Sequence, residues 1–167
     1  MRRFTGNCEL LCEVDIASAV AWIEGIKRED WPEYVWHKPP YIPYVLVDPN
    51  WEEFELRTDP IVQQIVALFP GCNAIKRALT TIHPGDFVPP HTDTLPPGWV
   101  TRIHVPLVSN PKAEFIVNDV VYHLEPGLAY QVNIDAPHAV KNGGDCSRIH
   151  FMFDIVEDCH GDTTTAV

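Results

Sequence analysis

Residues 147–155 read SRIHFMFDI. Ile149, Phe151, Phe153 and Ile155 recur at every second position, the period of a strand with one buried face. Arg148, His150, Met152 and Asp154 fall on the opposite face. The stretch TRIHVPLV at 101–108 repeats the device, with Arg102 and His104 on one side and Ile103, Val105 and Leu107 on the other. A guanidinium turned into a protein interior is destabilising unless it is paired. Two such strands therefore raise the question of what lies between them.

The sequence around them is a series of short strands. CNAIKRALTTIH ends at PGD, VTRIHVPLV at SNPK, AEFIVN near Asn118-Asp119, VVYHL at EPG, and LAYQVNI is followed by a turn at NGGD before SRIHFMFDIVE. Regularly spaced strands bounded by Gly, Pro, Asn and Asp predict a mostly β jelly roll. Before residue 70 the signals are helical. Asp15 can cap a helix whose apolar residues are Ile16, Ala19, Val20, Ile23 and Ile26. A second helix is predicted to start at Asp59-Pro60, to carry Ile61, Ile65 and Leu68, and to stop at Pro70. Between them WPEYVWHKPPYIPYVLVDPNW, rich in aromatics and prolines, reads as an ordered extended segment. The expected organisation is one domain over 1–167. Residues 1–70 form a helical and extended cover on the outside, 71–157 the jelly-roll core, and 158–167 a polar, frayed tail.

The chain has 167 residues, 46% of them hydrophobic and 21% charged, which suits a globular domain with a real core. Its net charge of -11 is shared almost evenly between the two halves, with no basic lobe, so nucleic acid is not an expected partner. Five scattered cysteines form no disulfide framework and no zinc-knuckle spacing. They read as reduced thiols in a cytoplasmic protein. The start MRRFTGNCELLCEVD has no uninterrupted apolar run, and nothing in the chain approaches a membrane span.

Three motifs carry the informative histidines. In VPPHTDTLPPG, His91 and Asp93 are separated by one residue, so in extended backbone they point the same way. Prolines 89, 90, 96 and 97 stiffen that loop. DAPHAVKN supplies His138 at a strand end. Two histidines and one carboxylate can occupy one face of an octahedral metal and leave the other positions open, an arrangement suited to non-haem Fe(II). The competing reading of His-x-Asp is loop stabilisation by Asp93. Arg148 follows ten residues after His138. Its bidentate fork fits either a ligand carboxylate or a structural salt bridge across the sheet, for instance to Asp135.

Taken together, TTIHPGDFVPPHTD, TRIHVPL, APHAVKN and RIHFMFDI resemble, in order and spacing, the aspartyl/asparaginyl β-hydroxylase family of Fe(II)/2-oxoglutarate dioxygenases. The resemblance spans residues 80–155. It implies a double-stranded β-helix (cupin-like) fold, with Fe(II), 2-oxoglutarate and O2 as cofactor and cosubstrates. His91, Asp93 and His138 match the metal positions. Arg148 matches the arginine that pairs with the distal carboxylate of 2-oxoglutarate, and Thr80 the hydroxyl residue assisting it. Arg102 and His104 match an R-x-H pair that lines the pocket and contacts the cosubstrate. The implied reaction couples oxidative decarboxylation of 2-oxoglutarate to hydroxylation of an unactivated C–H bond in an amino acid, peptide or protein side chain.

The chain departs from the animal members in two ways. They have glycine where this chain has Asp93, whereas bacterial free-amino-acid hydroxylases keep the full triad. Their substrate-binding arginine falls at Val100 here, and a further basic position at Ala78, so groups that would hold an acidic substrate are missing. Trp36, His37, Tyr41 and Tyr44 are candidates for a wall beside the metal, or for ordinary packing. His150 shares a face with Arg148 and can contact the cosubstrate or support a ligand. Asn142 reads as a turn-forming residue; His83, His123 and His160 need no function. The alternatives are a cupin-type metal protein without 2-oxoglutarate chemistry and a non-catalytic binding module.

Overall fold

The computed structural model describes residues 2–26, 44–46 and 51–158. Strands β1 (Cys8–Glu13), β2 (Tyr44–Leu46), β3 (Cys72–Ile82), β5 (Trp99–Val108), β8 (Leu128–Val132) and β10 (Arg148–Glu157) form one sheet. Its order is β1-β8-β5-β10-β3-β2. Strands β4 (Phe87–His91), β6 (Ala113–Val117), β7 (Val120–Tyr122) and β9 (His138–Asn142) form a second sheet in the order β4-β9-β6-β7. All described pairings are antiparallel. The sheets pair as a jelly roll, and helices α1 (Ala17–Ile23) and α2 (Trp51–Val66) cover the outer face of the larger one.

The alternation read from the two RIH strands sets these layers. Ile103, Val105 and Leu107 of β5, with Phe151, Phe153 and Ile155 of β10, pack against Ala19, Ile23, Phe54, Ile61 and Ile65 of the helices. Phe151 meets Phe54 edge-on, with ring centroids 5.8 Å apart. Each such fully buried side chain contributes about 1.5–3 kcal/mol. A second cluster, including Ile82, Val88, Phe115, Val117, Tyr130, Val132 and Val140, fills the space between the sheets. The polar residues of β5 and β10 face that inner space, where Arg102, His104, Arg148, His150 and Asp154 are all buried.

Several elements differ from their sequence-based outlines. α2 begins eight residues before Asp59-Pro60, and Pro60 lies inside it. Pro60 has no N–H to offer the Leu56 carbonyl, and it is accommodated on a stretch of the helix where Leu56 is 65% exposed. Glu52 and Glu53 in the first turn favour this earlier start by complementing the helix dipole. The residues before 70 also contribute strands: β1 pairs with β8, and β2 with β3, extending both edges of the larger sheet. The β6–β7 turn uses Asn118 and Asp119 at φ 49° and 62°, the left-handed pair a two-residue hairpin demands. The four described cysteines are unpaired, and no helix among the described residues is long and apolar enough to cross a membrane.

Candidate metal centre

β4 was missed as a strand because of Pro89 and Pro90, and β9 because of its brevity, yet they carry the two histidines. β4 is an edge strand, so Pro89 and Pro90 leave no ladder bond unmade toward a further neighbour. The register shifts between Val88 and His91, which brings His91 directly opposite His138. Their ring centroids are 4.2 Å apart. His91 Nδ1 lies 2.8 Å from the Pro89 carbonyl, and His138 Nδ1 3.1 Å from the Ala136 carbonyl. A carbonyl only accepts, so each Nδ1 carries the proton and each Nε2 keeps its lone pair for a cation.

Asp93 follows in the next loop, which is fixed by a hydrogen bond from its backbone N–H to the Ile134 carbonyl at 3.0 Å. Its Oδ1 is 3.6 Å from His91 Nε2. One ligand atom from each of His91, Asp93 and His138 lies within 4.8 Å of the others. Burial, then the adjacent His91 ring, pulls His138 below the ordinary histidine value, which keeps it neutral for ligation. The geometry and the tautomers both fit a divalent cation held on one face by two imidazoles and one carboxylate.

Arg148 and His150 lie on the inner face of β10, and Thr80 is in register with His150 across β3. Arg148 is buried and has no carboxylate partner among the described residues; Asp135 pairs instead with Arg3 at 2.6 Å. Arg148 Nη2 donates to His150 Nδ1 at 2.8 Å. Its guanidinium carbon sits 5.7 Å from the centre of the Phe115 ring. Burial pulls Arg148 down to about 9, so it stays charged at neutral pH with its desolvation largely unrelieved. Thr80 Oγ1 donates to the His150 carbonyl at the long distance of 3.5 Å. His104 stands 5.7 Å from His150 by ring centroids. Two buried nitrogens here, His104 Nδ1 and His150 Nε2, have no hydrogen-bond partner among the described residues. Burial, reinforced by Arg148, holds both imidazoles well below the ordinary histidine value, so both are neutral.

Arg102 occupies the same inner face but is engaged differently. It makes a side-on pair with Asp154, Nε to Oδ1 at 2.8 Å and Nη2 to Oδ2 at 3.0 Å. Its remaining Nη1 contacts Asp93 Oδ2. The arginine expected to meet the cosubstrate is thus shared between two carboxylates of the chain.

Sequence reasoning also overlooked Phe115. Its ring lies nearly parallel to His138 at 6.2 Å and edge-on to His104 at 4.9 Å, so it joins the metal-ligand pair to the cationic end. Its place in an ordinary alternating strand gave no signal. Val100 packs with the helix-side cluster, so a side chain there points away from the inner space. Asn142 is a structural hub, donating to the carbonyls of Ile82 and Cys146 at 2.8 Å each. Trp36, His37, Tyr41 and His160 lie outside the described residues, and Tyr44 is described only in its backbone.

The fold is shared with solved structures of low sequence identity. A 2OG-Fe(II) oxygenase family oxidoreductase from Burkholderia pseudomallei superposes with TM-score 0.65 at 13% identity, over 90% of this chain and 85% of that one. A prolyl-4-hydroxylase from Pseudomonas putida gives TM-score 0.61 at 16% identity, over 92% of this chain and 94% of that one. The non-heme alpha ketoglutarate dependent epimerase SnoN from nogalamycin biosynthesis gives 0.66 at 14% identity, over 90% and 78%. No curated protein sequence matches this one. The family model described as aspartyl/asparaginyl beta-hydroxylase matches residues 44–158, well over half of the chain, and the chain belongs to that family.

Proposed function

We propose that the protein is an Fe(II)/2-oxoglutarate-dependent dioxygenase that hydroxylates an unactivated C–H bond of an amino acid, peptide or protein side chain. The observation that carries this reading is the buried Arg148, without a carboxylate partner among the described residues, in the same inner space as the His91, Asp93 and His138 cluster. A dicarboxylate cosubstrate supplies the missing anion. Arg148 would hold its distal carboxylate through a bidentate fork, and Thr80 is within the same strand group to assist.

His91, Asp93 and His138 would hold the iron, which with 2-oxoglutarate and O2 supplies the oxidising chemistry that an unactivated C–H bond requires. The chain's own contribution is positional. The proton on each Nδ1 is committed to a backbone carbonyl, which fixes both imidazole planes before a metal arrives. Arg148 and His150 bring two fixed donors to an interior that excludes water. The substrate must then be oriented by the walls of the opening, because position decides which C–H bond reacts. Alanine at position 78, on the strand face that carries Thr80, favours a substrate without an extra carboxylate near the site.

The test is anaerobic titration of the purified protein with Fe(II) and then 2-oxoglutarate. A weak visible charge-transfer band should appear when the keto acid chelates the iron. No band and no 2-oxoglutarate affinity would sink the proposal.

A further inference from the structure

We propose that Asp154 is a positioning residue for the metal centre, acting through Arg102 to leave one oxygen of Asp93 free as a ligand. This role rests on the metal-binding part of the proposed function. Arg102 and Asp154 are direct cross-strand partners between β5 and β10. Their side-on pair uses Nε and Nη2, which fixes the guanidinium plane and leaves Nη1 for Asp93. Asp93 then divides its two oxygens. Oδ2 is engaged by Arg102, while Oδ1 faces His91 Nε2 at 3.6 Å.

Asp154 is built to hold that arginine. It is fully buried, and the Trp99 Nε1–H reaches its Oδ1 at 3.4 Å. Lys76 Nζ lies 3.9 Å from its Oδ2. Lys76 sits in an irregularity of the β3–β10 register with φ 53°, a left-handed backbone uncommon for a residue other than glycine. Two cations and an indole N–H therefore converge on one carboxylate that never meets solvent.

The electrostatic consequence concerns Asp93. While Asp154 shares the Arg102 charge, Asp93 keeps enough negative charge for a cation. With Asp154 neutralised, the Arg102 fork is free to close on both oxygens of Asp93 and to compete with the metal. The pair also occupies the Arg102 fork, so substrate or cosubstrate carboxylates would have to be met elsewhere.

The experiment measures Mn(II) affinity by calorimetry, with Co(II) absorption as a report of coordination, on the wild type and two variants. The first is Asp154→Asn. The second is the double variant Arg102→Met/Asp154→Leu, which replaces the pair by apolar side chains of similar size and protects folding if the single variant fails to fold. Removing a group that orients a ligand typically weakens metal affinity about 10–100-fold. That loss in Asp154→Asn, with an altered Co(II) spectrum, supports the role, and the double variant, which has no Arg102 to close on Asp93, should bind Mn(II) at least as tightly as the wild type. A wild type that binds Mn(II), with unchanged affinity and spectrum in Asp154→Asn, or with a double variant weakened about 10-fold or more, overturns the inference alone. A wild type that binds no metal overturns the metal reading itself.

Discussion

Arg148 fixes the tautomer of His150. Its Nη2 lies 2.8 Å from His150 Nδ1, and a guanidinium can only donate, so Nδ1 accepts and Nε2 carries the proton. That Nε2–H is buried without a partner among the described residues. Arginine and histidine together thus present two donors to whatever anion enters. Replacing His150 by Leu should weaken 2-oxoglutarate binding by roughly 10–100-fold, the effect of losing a hydrogen bond to a charged group. Fe(II) affinity should stay the same. Titration of the charge-transfer band reads both, and an unaltered 2-oxoglutarate affinity would remove His150 from the binding role.

Arg148 itself is the stronger test of the cosubstrate. Truncating one partner of a desolvated charge pair costs about 2–5 kcal/mol, so Arg148→Ala should raise the 2-oxoglutarate requirement roughly 30-fold or more. The ligand-free protein should respond in the opposite sense. Its charged Arg148 is buried beside a neutral imidazole and the Phe115 ring, with no carboxylate partner among the described residues. The double variant Arg148→Met/His150→Leu removes both polar groups without leaving either unpaired. It should gain stability on the order of 1–4 kcal/mol in denaturant unfolding while losing 2-oxoglutarate affinity. A destabilised double variant would mean that the pair serves the fold.

The two RIH strands were readable because their alternation is a local property. Period two puts Ile103, Val105, Phe151 and Phe153 on the helix side and the arginines and histidines inside, as the packed layers have it. His91, Asp93 and His138 were readable by type and spacing, and they converge through the pairing of β4 with β9. Partner choice was less legible. Arg102 and Arg148 stand in similar sequence contexts, but only Arg102 lies opposite an aspartate in the strand register. Such a contact between residues 52 apart depends on sheet order, which alternation does not encode. Phe115 was hidden for the same reason, since its neighbours come from β5, β9 and β10.

The buried histidines should make stability depend on pH. His104 and His150 have folded-state values held well below the ordinary one by burial and then by the Arg148 charge. The unfolded chain therefore binds more protons than the folded one as pH falls through about 6.5. Stability contributed by these groups is fully present above that pH and is lost as pH drops toward the folded values. Unfolding midpoints measured between about pH 5 and 7.5 should fall on the acid side. A variant carrying His150→Leu should show a shallower fall. An equally steep profile in that variant would assign the acid sensitivity to other groups.

Removing Asp93 separates the role of a metal ligand from that of a residue that holds the fold. Asp93 is partly exposed, and Arg102 retains its side-on partner Asp154 when Asp93 is removed. No buried charge is stranded, so Asp93→Ala should fold with nearly wild-type stability in the absence of metal. Binding to the native state alone stabilises by mass action, about 2.7 kcal/mol at a ligand concentration 100 times its Kd. Wild-type protein should gain on that scale when saturated with Mn(II), and more when 2-oxoglutarate is added. Asp93→Ala should gain little at the same Mn(II) concentration, because two imidazoles remain where three ligands held the ion. Thermal unfolding with and without metal measures the difference. A metal-induced shift in Asp93→Ala as large as that of the wild type would show that the carboxylate is a loop residue and that the cation, if it binds, binds without it.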